Sequence, residues 1–96
     1  MFNPLIGKTQ TVSVTSTHGE ITLDTAGNQL MFTVESGGST CFYRTGTTSA
    51  TAVATTDTPL LSGEVAVFNR PLGHNIVSIV TSTGTATVYV TPGSNE

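Results

Sequence analysis

The side chains able to carry chemistry are few and scattered. One cysteine, Cys41, and two histidines, His18 and His74, are the natural ligands for a transition metal. Their separations match no CxxC, HxxxH or related ligand spacing. Two carboxylates of a glycosidase could be assembled from Glu20, Glu35, Glu64, Asp24 and Asp57. Raising the pKa of one of them needs a deep, partly dry pocket, which a small sandwich has difficulty supplying. The chain has nine serines, but none stands in a G-x-S-x-G elbow and neither histidine lies in a recognisable triad context. Gly7-Lys8-Thr9 lacks the preceding glycine of a phosphate-binding loop. These residues imply no catalytic group, no metal and no cofactor. A carbohydrate module would need exposed aromatics, and the chain has no Trp and only Tyr43 and Tyr89.

Composition points the same way. Three Lys and Arg stand against six Asp and Glu, for a net charge of -3. Nucleic-acid binding rests on neutralising phosphates, and Lys8, Arg44 and Arg70 do not cluster in sequence, so nucleic acid is not an expected partner, and neither is a membrane. No apolar run approaches the ~20 residues that span a bilayer. Met1–Lys8 has neither a basic lead nor an apolar stretch long enough to read as a signal peptide. A single cysteine excludes an intrachain disulfide and fits folding in a reducing compartment. Charged residues make up 9% of the chain, against about 25% in ordinary soluble domains. Twenty Thr and nine Ser take their place.

With 96 residues there is room for one domain. No window carries apolar residues at helical spacing. Period-two alternation recurs instead, broken by Gly, Pro, Asn and Asp every eight to twelve residues, the pattern of an all-β sandwich or barrel. The strands read as about 10–16, 19–24, 29–35, 64–68, 76–81 and 85–91, with a weaker one over 48–54. Asp24-Thr25-Ala26-Gly27-Asn28 reads as a turn. Leu60-Leu61 reads as a bend beside Pro59. Gly37-Gly38 suits a two-residue hairpin turn, which would set Val34 opposite Cys41 and Phe32 opposite Tyr43. It would also place Met31, Phe42 and Arg44 together on the outer face of that hairpin. Thr83-Gly84 likewise predicts a hairpin with Ile79 opposite Val88 and Val77 opposite Val90, and Pro92-Gly93 ends its second strand. Tyr43 then belongs to the core, which leaves Tyr89 as a lone aromatic platform.

Three features suggest contacts with other proteins. Residues 1–9, with Phe2, Pro4, Leu5 and Ile6, form either an apolar arm that docks on a neighbour or an edge segment of the domain itself. An aromatic, a Met and an Arg on one face (Met31, Phe42, Arg44) match the composition of interface cores. The loop carrying Arg70 and Leu72 is a third candidate. Residues 10–93 then form the domain and 94–96 a short tail.

The run Asp57-Thr58-Pro59-Leu60-Leu61-Ser62-Gly63-Glu64-Val65-Ala66-Val67-Phe68 and the close Ile79-Val80-Thr81-Ser82-Thr83-Gly84-Thr85-Ala86-Thr87-Val88-Tyr89-Val90-Thr91-Pro92-Gly93 are similar to small β-sandwich virion proteins of tailed bacteriophages. With Phe42-Tyr43-Arg44-Thr45-Gly46, the resemblance covers roughly residues 28–93. It implies a capsid cement (decoration) protein, made in the bacterial cytoplasm and resident in the virion, whose partner is the major capsid protein. Many copies on a symmetric shell, or a homo-oligomer, would follow. A head–tail junction or tail component is the alternative within the virion, and a carbohydrate-binding module the alternative outside it. The expected fold is a small antiparallel β-sandwich, jelly-roll-like or Greek-key, of about seven or eight strands.

Overall fold

Strands that alternate Val, Leu or Ile with Thr and Ser have one face that water tolerates and one that must be buried. Two sheets packed face to face satisfy all of them at once. A computed structural model shows this arrangement; it describes residues 1–17, 19–23 and 26–95, with only the backbone of Asn95. Among them are nine strands and no helix. The strands are β1 (Phe2–Pro4), β2 (Gln10–Val14), β3 (Gly19–Thr22), β4 (Gln29–Val34), β5 (Cys41–Gly46), β6 (Thr58–Leu60), β7 (Val65–Asn69), β8 (Ile76–Thr81) and β9 (Ala86–Asn95).

Pairing is nested. β2 pairs with β9, β3 with β8, β4 with β7 and β5 with β6, all antiparallel. The chain is thus one long hairpin folded back on itself, and rolling it brings β4 against β9 and β5 against β8. The first sheet runs β2-β9-β4-β7, with β1 sharing the β2 side of β9, and the second runs β3-β8-β5-β6. This is the strand order of a jelly roll. The ninth strand arises because β1 and β2 occupy one edge of β9 in succession. Residues 5–9 bulge out between them, opposite only Thr91 and Pro92.

Both expected hairpins are corrected by this topology. β4 and β5 lie in different sheets, as do β8 and β9. The in-or-out sorting of side chains survives, because alternation belongs to each strand and not to its partner. Phe32 and Tyr43 meet across the core, with ring centroids 4.5 Å apart, rather than side by side in one sheet. Phe68 completes the cluster, 5.9 Å from Phe32 and 5.1 Å from Tyr43. Around them Leu30, Val34, Cys41, Leu60, Val77, Ile79, Val88 and Val90 are buried. The Gly37-Gly38 segment carries the chain between sheets, and its neighbours bond to β9 and the turn before it: Glu35 N donates to Thr87 O and Ser39 N to Thr85 O.

Pro92 does not end β9, which continues to Asn95. A proline inside a central strand normally costs a ladder bond. Here Pro92 O accepts from Leu5 N, so its donorless nitrogen faces the side where β2 has given way to the bulge. The missing N–H falls where no partner strand needs it. Of the expected 94–96 tail, Ser94 and Asn95 belong instead to β9, pairing with Asn3 and Phe2, and Glu96 lies outside the described residues. The expected strand over 48–54 is also absent; that segment is irregular and lies on the back of the second sheet.

β1 is held by a close fit at Gly93. A Cβ there would stand 2.5 Å from both Asn3 O and the Phe2 ring. Gly93→Ala is expected to displace β1 and to cost about 1–3 kcal/mol by overpacking. Thermal unfolding together with amide exchange at Leu5 reads this, and Gly19→Ala, where nothing lies within 4 Å, is the near-neutral control.

Candidate docking surface

The two outer faces of the sandwich differ. On the second sheet, the chain covers itself. Residues 47–57 cross the back of β8: Ala52 N donates to Ser78 Oγ at 3.0 Å and Ala50 N to Glu20 Oε1 at 3.3 Å. Ala50, Ala52, Ser78 and Val80 are buried as a result. Asp57 anchors the segment, accepting from Val53 N at 2.7 Å and pairing with the Arg44 guanidinium at 3.0 Å. Burial raises the pKa of the Asp57 carboxyl, but the Val53 N–H and Arg44 outweigh it and hold the group below the usual aspartate range.

Among the described residues no segment crosses the outer face of the first sheet, although Thr91, against Thr9 of the bulge, is buried there. Register places its residues in rows: Thr11, Tyr89, Thr33 and Val65 in one, and Thr91, Met31 and Val67 in the next. Ser13 pairs with Thr87 in a third row, and Gln29 with Asn69 in a fourth. None of these positions carries a charge. Val65 is 61% and Val67 43% exposed, while Met31 and Tyr89 are half-buried. Some of the polar groups are bound: Gln29 Nε2 donates to Asn69 Oδ1 at 3.2 Å, and the Thr91 hydroxyl lies 2.8 Å from that of Thr9. At the rim the Tyr89 hydroxyl donates to Glu35 Oε2 at 2.6 Å. That bond, together with the charge of Glu35, raises the phenol pKa. A surface of methyl, thioether and hydroxyl groups can be covered by another protein without burying a charge from its strands, provided the hydroxyls find hydrogen-bond partners there.

The sequence-predicted contact residues do not form one patch. Met31 lies on this face, but Phe42 and Arg44 lie on the opposite side of the molecule, which corrects their grouping. Phe42 is half-buried beside Val80, and Arg44 is tied to Asp57. Arg70 is corrected more strongly. It is buried, and its guanidinium donates to Ala26 O, His74 O and Asn75 Oδ1, so it holds the β7–β8 loop rather than an interface. Leu72 at the tip of that loop is fully exposed. Phe2 packs over Gly93 and Leu5 is bonded to Pro92, so the N-terminal residues form an edge strand of the domain. Pro4 is exposed, and Ile6 is 90% exposed at the bulge.

Val65, Val67, Thr33 and Tyr89 escape a reading based on single conspicuous residues. Their signal is the shared parity of three strands, legible only once those strands are known to be neighbours. His18 and Asp24 lie outside the described residues. Each of the four described acids named above is bound by the chain: Glu20 by Ala50, Glu35 by Tyr89, Asp57 by Arg44 and Val53, and Glu64 by Leu61 N at 2.8 Å. His74 Nδ1 lies 2.8 Å from the Thr45 hydroxyl. Burial pushes the Cys41 thiol pKa up, away from the thiolate that reactivity requires. Depressions on the surface, such as one of about 550 Å³ between Ser16, Ala52 and Ser82, are broad and shallow.

Compared with known protein families, curated proteins and solved structures, the chain matches none.

The lowered Asp57 pKa has a signed consequence. Its carboxylate contributes stability above the unfolded-state pKa, and that contribution is lost as pH falls through the folded-state value. Asp57→Asn is expected to destabilise the protein by roughly 1 kcal/mol at pH 7, the modest size reflecting a half-exposed Arg44 partner. The difference from wild type should shrink below about pH 4. Urea unfolding across pH measures it.

Proposed function

We propose that this chain is a non-enzymatic structural virion protein, a capsid cement or decoration protein that bridges adjacent major capsid subunits of a tailed-phage head. The observation that carries the reading is the outer face of the first sheet, whose strand positions carry no charge and which has Glu35 at its rim. Lys and Glu are the residues that usually keep such faces solvated and unpaired. Their absence from every outward position of β2, β9, β4 and β7 suits a face that is covered in the assembled state. The jelly-roll order agrees, since this architecture recurs in viral shells. So does the sequence resemblance to phage virion proteins.

Bridging needs no reaction centre. Each copy can bind weakly and still clamp the shell, because contacts to two linked subunits multiply. Thr and Ser suit such contacts, because they immobilise with little side-chain entropy loss and still hydrogen-bond to a partner. A sugar-binding reading would need an open aromatic platform, whereas Tyr89 is half-buried with its hydroxyl held by Glu35.

Co-sedimentation of the purified protein with empty heads of the encoding phage tests the proposal. Met31→Lys and Thr33→Lys should each lower occupancy at least tenfold, because the ammonium would have to be buried in the contact. Both variants should fold, since a lysine stem can lie along the sheet with its charge in water. Val53→Lys, on the other side of the molecule, should bind as wild type. Full occupancy by both face variants, or no binding of wild type to heads, would overturn the reading.

A further inference from the structure

The sandwich is closed on one flank and open on the other. On the β2/β3 flank the sheets are tied together: Gln10 Nε2 donates to Thr22 O, and Thr81 N to Thr15 O. On the β6/β7 flank, β6 is three residues long, and no strand among the described residues pairs with the far side of β7. Phe68, on the inner face of β7, is only half-buried there although it packs on Phe32 and Tyr43.

The free edge of β7 has a defined set of hydrogen-bonding groups. Glu64 O accepts from Val34 N and Arg70 N donates to Asn28 O, so even-numbered residues address β4. The N–H and C=O of Val65, Val67 and Asn69 therefore point outward. Natural edge strands are usually blunted by Lys, Pro, a bulge or an inward charge. Residues 65–69 contain none of these, and they pair with β4 without interruption from Val65 to Asn69. By contrast β6, the other edge on this flank, contains Pro59.

We infer that β7 is the seam of a two-fold homodimer, in which it pairs antiparallel with β7 of a second copy about Val67. In that register Val67 faces Val67 of the second copy and Val65 faces Asn69. All three outward pairs become hydrogen-bonded pairs, each exchanging two backbone bonds. No charged side chain meets its own copy in the ladder, and Ala66 of one copy covers the exposed side of Phe68 of the other. The flanking loops support a second copy over a foreign strand. Leu61 is 56% exposed shortly before β7 and Leu72 fully exposed shortly after it. Antiparallel pairing about Val67 brings Leu61 of one copy to the same end of the seam as Leu72 of the other. Two unpartnered leucines thus become each other's partners. The outer face of the first sheet would run unbroken across both copies. The inference stands on the edge geometry and does not depend on capsid binding.

Sedimentation velocity on the purified protein at about 100 μM should show a dimer, and dilution should dissociate it, as befits a contact of modest size. Val67→Pro, which removes an outward N–H and no internal bond, and Leu72→Asp, at an exposed loop tip, should each weaken dimerisation at least tenfold. Val67→Cys gives an independent readout: across the two-fold the Cα atoms would lie about 5.5 Å apart, within disulfide range. With oxidised glutathione it should form a covalent dimer at least tenfold faster than Val65→Cys or Val53→Cys. A wild-type monomer at 100 μM, or cross-linking of Val67→Cys no faster than of Val53→Cys, would overturn the inference. Neither measurement involves a shell, so failure here and failure of the cement reading are separable.

Discussion

The structure depends on a constraint of strand geometry: side chains alternate between faces, so a strand that buries one set must present the other. In most small domains the presented set is ionic. On the first sheet it is mainly Thr, Ser, Asn, Gln, Val and Met, whereas the second also presents Glu20 and Arg44, and the molecule deals with the two outer faces differently. One is covered by residues 47–57, pinned through Asp57 and Ser78. The other is left bare, and it is the one that adjoins the open β7 edge. The bare face and the bare edge are two consequences of one choice of composition.

Rolling a nested hairpin explains how so little core holds the fold. Each pairing contributes an inner row to a shared layer centred on Phe32, Tyr43 and Phe68. Nested pairing also joins distant parts of the chain, so most contacts are long in sequence, and among the described strands only β5 and β6 pair as chain neighbours. The cost appears at the ends of the roll. β1 must be fitted beside β2 on one edge of β9, and Gly93 and the donorless nitrogen of Pro92 make that junction possible.

Much of this is legible in the residues and some is not. Fold class, most strand positions and the inward set Phe32, Val34, Cys41 and Tyr43 follow from alternation, which does not depend on pairing. Partner choice does not follow. The Gly37-Gly38 and Thr83-Gly84 segments look like hairpin turns because a crossing between sheets uses the same residue types, and both arrangements preserve parity. Met31, Phe42 and Arg44 share a face only on such a hairpin, and they separate once β4 and β5 belong to different sheets. Arg70 reads as a surface cation because its partners are mainly backbone carbonyls, which no sequence pattern advertises. Val65 and Val67 are too ordinary to single out. Their meaning comes from lying beside Met31 and Thr33 on a face whose strand positions carry no charge.

The cement reading makes a physical demand, namely that the outer face of the first sheet is dry in the particle and wet in the free protein. Hydroxyl-radical footprinting, with and without empty phage heads, measures this directly at two reactive side chains, Met31 and Tyr89. Both should lose most of their labelling on addition of heads, while Phe42 on the opposite side keeps its own. Unchanged labelling of Met31 and Tyr89 on heads that carry the bound protein would contradict the account.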